Sequence, residues 1–112
     1  MVTICDDNSV FTAIVRIDLQ QPDDQPALIE AATHMIPMFE KQPGFVSLSL
    51  HRGLRGTQIV TYLQWRSKAD HEACQSNPEV IAAGQAFLAY LASGRASIDV
   101  QTFEVVACAE AT

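Results

Sequence analysis

Two strand-forming runs joined by a short glycine-flanked turn constrain this chain most. Phe45 to Arg52 and Thr57 to Trp65 lie either side of Gly53-Leu54-Arg55-Gly56, and glycines at both ends of the loop supply the positive φ that a tight hairpin needs. Closing the turn on those four residues sets Arg52 opposite Thr57, Leu50 opposite Ile59, Leu48 opposite Thr61 and Val46 opposite Leu63. Directly opposed residues share a face. One face then carries Val46, Leu48, Leu50, Ile59, Thr61, Leu63 and Trp65, and is apolar enough to meet helices. The other carries Phe45, Ser47, Ser49, His51, Gln58, Val60, Tyr62 and Gln64. A bulge would shift this assignment. The second face is too mixed for a dry core, yet it holds aromatic anchors among hydrogen-bonding groups, which suits a subunit contact. The expectation is a homodimer joined through Phe45, Val60, Tyr62 and Gln64.

The flanking segments extend the pattern. In Val10 to Leu19 the odd positions Phe11, Ala13, Val15, Ile17 and Leu19 are all apolar, and the even ones include Thr12, Arg16 and Asp18; such alternation marks a strand with one buried face. Asp24 reads as the cap of a helix with Pro26 in its first turn. Leu28, Ala32, Met35 and Phe39 give that helix an apolar stripe, with Glu30, His34 and Lys41 on the other side. Pro37 should kink or interrupt it, and Pro43-Gly44 should end it. Ser67 with Asp70 resembles a capping box opening a short helix. Asn77-Pro78 opens a further helical segment with a stripe of Val80, Ile81, Phe87, Leu88 and Leu91, closed at Gly94. Ser97 to Ala107 reads as a last strand. Merging the two adjacent helical pieces gives βαββαβ, the ferredoxin-like α+β arrangement with an antiparallel sheet. The chain of 112 residues reads as one domain, residues 1–112, with its core about 10–107.

Charge and cysteine usage exclude some functions. The net charge is −6, and phosphate backbones and anionic membranes attract basic patches, so neither nucleic acid nor a membrane is an expected partner. Cys5, Cys74 and Cys108 are odd in number and form no C-x-x-C, which fits reduced thiols in a cytoplasmic protein. Met1 to Ser9 lacks the basic and apolar regions of a signal peptide.

At Gln42-Pro43-Gly44-Phe45-Val46-Ser47, Leu50-His51-Arg52 and Tyr62-Leu63-Gln64-Trp65-Arg66-Ser67, the chain resembles the antibiotic biosynthesis monooxygenase family. The resemblance runs in element order from about Phe11 to Val105 and is most specific at Gln64-Trp65-x-Ser67. It is nearest to the small cofactor-free quinone-forming monooxygenases of the actinorhodin type. It implies a ferredoxin-like subunit, a dimeric α+β barrel, and a cavity between sheet and helices in each subunit. It also implies that the cavity is faced by an Asn, a Trp and a helical Tyr. Here those positions hold Thr61, Trp65 and His71. The Asn and Tyr are therefore replaced.

Chemistry without a cofactor makes definite demands. Ground-state oxygen is a triplet, so the substrate must supply the electron, which a phenol or anthrone does once deprotonated. The protein then needs a base or hydrogen-bond network and a water-poor, aromatic-compatible cavity. Trp65 offers a broad wall with one N–H donor. His71 titrates near neutrality and is the candidate base, although Ala69 and Ala73 define one apolar face of its helix and Asp70 and Cys74 another that it could join. Thr61 offers one hydroxyl, and Leu48, Leu63 and Met35 would complete the walls. The expected function is a cofactor-independent monooxygenase acting with molecular oxygen on a phenolic or quinol-type, polyketide-like aromatic. No cofactor is expected. No metal is expected either, because His71 and Cys74 alone are too few ligands. The alternative is a non-catalytic module binding the same small aromatics. A third reading, haem degradation, would need a His near Gln75 and Ser76 and an Asn in the first strand, and the chain has neither.

Overall fold

A computed structural model of the chain describes residues 10–107, 109 and 111. The expectations for residues 1–9, Cys5 and Cys108 fall outside the described residues. The elements in chain order are β1 (Phe11–Leu19), α1 (Gln25–Glu40), β2 (Phe45–Arg52), β3 (Gln58–Trp65), α2 (Lys68–Ser76), α3 (Pro78–Ala83), α4 (Gln85–Ala92) and β4 (Ala96–Glu104), with a short 3-10 turn over Pro22–Asp24. The strands form one sheet in the order β2-β3-β1-β4, and every neighbouring pair is antiparallel. This is the ferredoxin-like α+β fold. α1 packs on β2 and β3, α2 on β3, and α4 on β4. Among the described residues no helix is long and apolar enough to cross a membrane.

Local chemistry accounts for most helix ends and corrects some expectations. Ser67 caps α2: its hydroxyl accepts from the Asp70 amide at 3.2 Å and donates to the Asp70 carboxylate at 3.0 Å. Asn77 caps α3 through the Glu79 amide at 2.9 Å, with Pro78 in the first position. Asp24 does not cap α1. The 3-10 turn runs directly into the helix, so Asp24 is itself helical (φ −83, ψ −15), and its carboxylate instead accepts from Arg95 at 2.6 Å. Pro37 does not interrupt α1, which continues to Glu40. It lies on the exposed side, where water can reach the carbonyl that its missing N–H leaves free. The second helical segment is broken at Gly84 into α3 and α4 rather than running unbroken to Gly94.

The hairpin keeps its two faces but not its expected register. Arg52 pairs with Ile59, Leu50 with Thr61 and Leu48 with Leu63, a shift of two residues. The Gly53 amide donates to the Gln58 carbonyl at 2.8 Å. Of the two turn glycines only Gly56 has positive φ, at 84°. An even shift preserves which residues share a face. At the other end a bulge falls at Val46, so that Phe45 pairs with Trp65 while Ser47 pairs with Gln64. This moves Phe45 from the outer face to the helix side, and corrects its assignment to the subunit contact. Its ring meets Trp65 edge-on at 5.8 Å and 86°.

The helix-facing side holds two clusters. Ala13, Leu63, Trp65, Cys74 and Val80 form one, with Phe11, Phe39 and Phe45 packed against it. Ile17, Leu19, Leu28 and Ile59 form the other. On the outer face Ser47 donates to Gln64 at 2.9 Å, and Gln64 donates to Thr12 at 3.3 Å. Gln64 is already 2 % exposed in the single chain, so it has almost no surface left to offer a partner. Val60 and Tyr62 remain half-buried there.

Candidate active site

The middle of the sheet sets one end of a cavity. Thr61 lies on a central strand between Val15 of β1 and Leu50 of β2, and its hydroxyl makes no hydrogen bond among the described residues. Above it, between the sheet and α1, α3 and α4, is a cavity of about 290 Å³. This is at the lower limit of the roughly 300–1,000 Å³ typical of small-molecule sites, so it fits a compact ligand. Leu48, Leu63 and Met35 line it, as do Phe39, Ile59 and Phe87. Thr61 is the one residue in the lining with a hydroxyl, and no titratable side chain is among them. The rim includes Ile81 and Ile98, which are 45 % and 49 % exposed.

Trp65 and His71 lie outside that lining. Trp65 is four residues beyond Thr61 on the same face of β3, roughly 13 Å away at about 3.3 Å per residue. It is 1 % exposed, enclosed by Phe45, Leu63 and the first turns of α2, and its indole N–H is buried without an acceptor among the described residues. A buried donor left unpaired costs about 1–3 kcal/mol, so the indole marks a place where a ligand or water oxygen would be stabilising. The His71 ring lies 5.2 Å from Phe11 and 6.1 Å from Trp65. The facing of α2 is thereby settled: His71 and Cys74 are buried, whereas Ala69 and Ala73 are exposed. Burial depresses the His71 pKa, opposed by the charge of Glu72, and it raises that of the Cys74 thiol. His71 is therefore neutral at neutral pH. Among the described residues no group of three or more His, Cys, Asp or Glu is placed to hold a metal.

The sequence places Thr61, Trp65, His71, Leu48, Leu63 and Met35 at one site; the structure brings Thr61, Leu48, Leu63 and Met35 together at the cavity and sets Trp65 and His71 apart from it, in the packed end of the sheet. Sequence reasoning missed the contribution of the α3–α4 junction, where Gly84 lines the cavity. A lone glycine in a helical run carries no signal that it faces a ligand space.

A ferredoxin-like sheet with a cavity on its helical side is what the family resemblance implies. The profile of the antibiotic biosynthesis monooxygenase family matches residues 10–86, and the chain belongs to that family. The tetracenomycin-F1 monooxygenase of Streptomyces glaucescens is 34 % identical over 84 residues, which are 71 % of this chain and 71 % of that protein. Among solved structures, SnoaB, a cofactor-independent oxygenase from Streptomyces nogalater, matches with TM-score 0.69 and 16 % identity over 89 % of this chain and 96 % of its own. The monooxygenase from the gene ActVA-Orf6 of Streptomyces coelicolor, solved with nanaomycin D, matches with TM-score 0.65 and 21 % identity over 94 % and 95 %. At these identities the structural likenesses show the fold.

Proposed function

We propose that the chain is a cofactor-independent monooxygenase that oxidises a phenolic or quinol-type polyketide aromatic with molecular oxygen. The observation that carries this reading is the apolar cavity with a single hydroxyl, Thr61, on a wall otherwise without hydrogen-bonding side chains. Membership of the monooxygenase family and the 34 % identity to the tetracenomycin-F1 enzyme support it. An aromatic ring system fills such a space, and Thr61 holds one of its oxygens. Once the substrate loses a proton, its delocalised anion gives one electron to oxygen. Recombination of the radical pair forms a C–O bond, and cleavage of the O–O bond releases water and leaves a carbonyl. The protein's part is to exclude water, orient the rings, and favour the anion. His71 and the unpaired Trp65 N–H lie outside the lining, so the substrate's proton leaves to water at the open rim, and Thr61 is the side chain that hydrogen-bonds the developing quinone oxygen. The protein works as a homodimer through the outer sheet face, with Val60 and Tyr62 in the contact; a monomeric mass by light scattering at micromolar concentration would count against that part.

Oxygen consumption with an anthrone and a dihydroxynaphthalene, measured over the uncatalysed rate, tests the reading. Uptake should occur, and Thr61→Val should lower it. One observation favours a second reading: no titratable group lines the cavity, as suits a binder of the same aromatics that leaves them unchanged. Quenching of Trp65 fluorescence by those compounds, with no oxygen uptake, would select the binder. Neither quenching nor uptake across the panel would sink both.

A further inference from the structure

The α3–α4 junction limits the cavity at a residue that has no side chain. Gly84 lines the space, and nothing local requires glycine there. Its backbone is at φ −87 and ψ 2, a region open to other residues. A methyl built on its Cα would meet Met35 Cε at 3.6 Å and the Val80 and Ile81 carbonyl oxygens at 3.6 and 3.7 Å, all ordinary contact distances. Its nearest neighbour, Met35, is itself a cavity wall, so a larger side chain would grow beside that wall into the ligand space. Where neither conformation nor packing demands glycine, what its lack of a side chain provides is room.

The geometry points to Gly84 as the residue that sets the size of ring system this cavity accepts. Glycine there admits a tricyclic ligand, and a branched side chain there shortens the space to that of a bicyclic one. Met35 on α1 is the cavity wall that a side chain at Gly84 would meet. This rests on the reading of the cavity as an aromatic-binding site and adds its specificity determinant.

Equilibrium dialysis of the full chain with an anthraquinone and a naphthoquinone tests it through the ratio of the two dissociation constants. In Gly84→Leu the ratio should move against the tricyclic probe by about tenfold or more, the scale of shape discrimination in apolar pockets. In Gly84→Ala it should move the same way by a few-fold. Adding Met35→Ala to Gly84→Leu should bring the ratio back towards that of the unaltered chain. If circular dichroism shows Gly84→Leu unfolded, Gly84→Ala decides, since its methyl meets only ordinary contacts. A ratio unchanged within about twofold, or equal loss of both probes, overturns the assignment of Gly84 while leaving the aromatic site standing. Failure of the unaltered chain to bind either probe overturns the site itself and Gly84's role with it.

Discussion

The helix-facing side of the sheet has a closed end and an open end, made from the same strands. At the closed end β3 finishes in Trp65, and Phe11, Phe45, Cys74 and His71 surround the indole until it is 1 % exposed. A well-capped helix, α2, covers it. At the open end Thr61 and Ile59 face α3 and α4, two short helices separated at Gly84, and about 290 Å³ is left unfilled. Strand sequence alone does not make a pocket. One capped helix over the end of β3 gives a packed core, whereas two short helices broken at Gly84 leave a cavity. The closed end should therefore carry stability and the open end ligand binding.

Truncating Trp65 is the severest test of that division. Trp65→Ala should cost about 3–5 kcal/mol, as buried Trp→Ala changes do, seen as a fall in the urea midpoint with little change in slope. Trp65→Phe should cost far less, because it also removes a buried donor that has no acceptor. A loss below about 1 kcal/mol in Trp65→Ala would mean that the closed end is not the stability core.

Enlarging an alanine at each end sharpens the contrast. Ala13 is 0 % exposed in the closed cluster, so Ala13→Leu should overpack it and cost about 1–3 kcal/mol. Ala32 borders the cavity, so Ala32→Leu should find room, change stability by less than about 1 kcal/mol, and weaken binding of an anthraquinone. Equal destabilisation by both would contradict the open end. The cap lies between these in size: Ser67→Ala should cost about 1 kcal/mol, because α2 covers only the closed end.

How much of this was legible beforehand depended on the range of each interaction. The elements of the hairpin and its faces were readable because side-chain alternation has period two, and the actual two-residue shift leaves it intact. The same parity placed Thr61, Leu48 and Leu63 on the cavity side. The bulge at Val46 was not readable. Nor was the close approach two residues before it, at Gly44, where φ is +80 and a side chain would collide with the Asp70 carboxylate of α2. Asp24 was misread because a 3-10 turn continuous with α1 takes away the extended conformation that a cap needs. The facing of His71 was ambiguous because α2 is short and two alternative stripes fit it; only packing against Phe11 and Trp65 selects one. The cavity was expected only through the family resemblance; its size and its limit at Gly84 could not be read from the residues, since they are set by what α3 and α4 fail to fill.

The smallest effect concerns protons at the closed end. Burial holds the folded-state pKa of His71 below its ordinary value of 6.5. The unfolded chain therefore binds a proton more readily than the folded one as the pH falls. The stability that depends on neutral His71 is fully present above about pH 6.5 and is lost as the pH drops through that value towards the folded pKa. Other groups titrate as well, so the informative quantity is a difference between two proteins. Replacing His71 with Phe keeps a ring beside Phe11 and Trp65 but removes the titration. Urea midpoints from about pH 7.5 to 5 should then fall less steeply in His71→Phe than in the unaltered chain. Parallel profiles would show that the imidazole takes up its proton inside the fold as readily as outside it, and that the closed end admits water. The division between a dry, packed end and an open, ligand-sized one would then fail at the end where it is drawn most firmly.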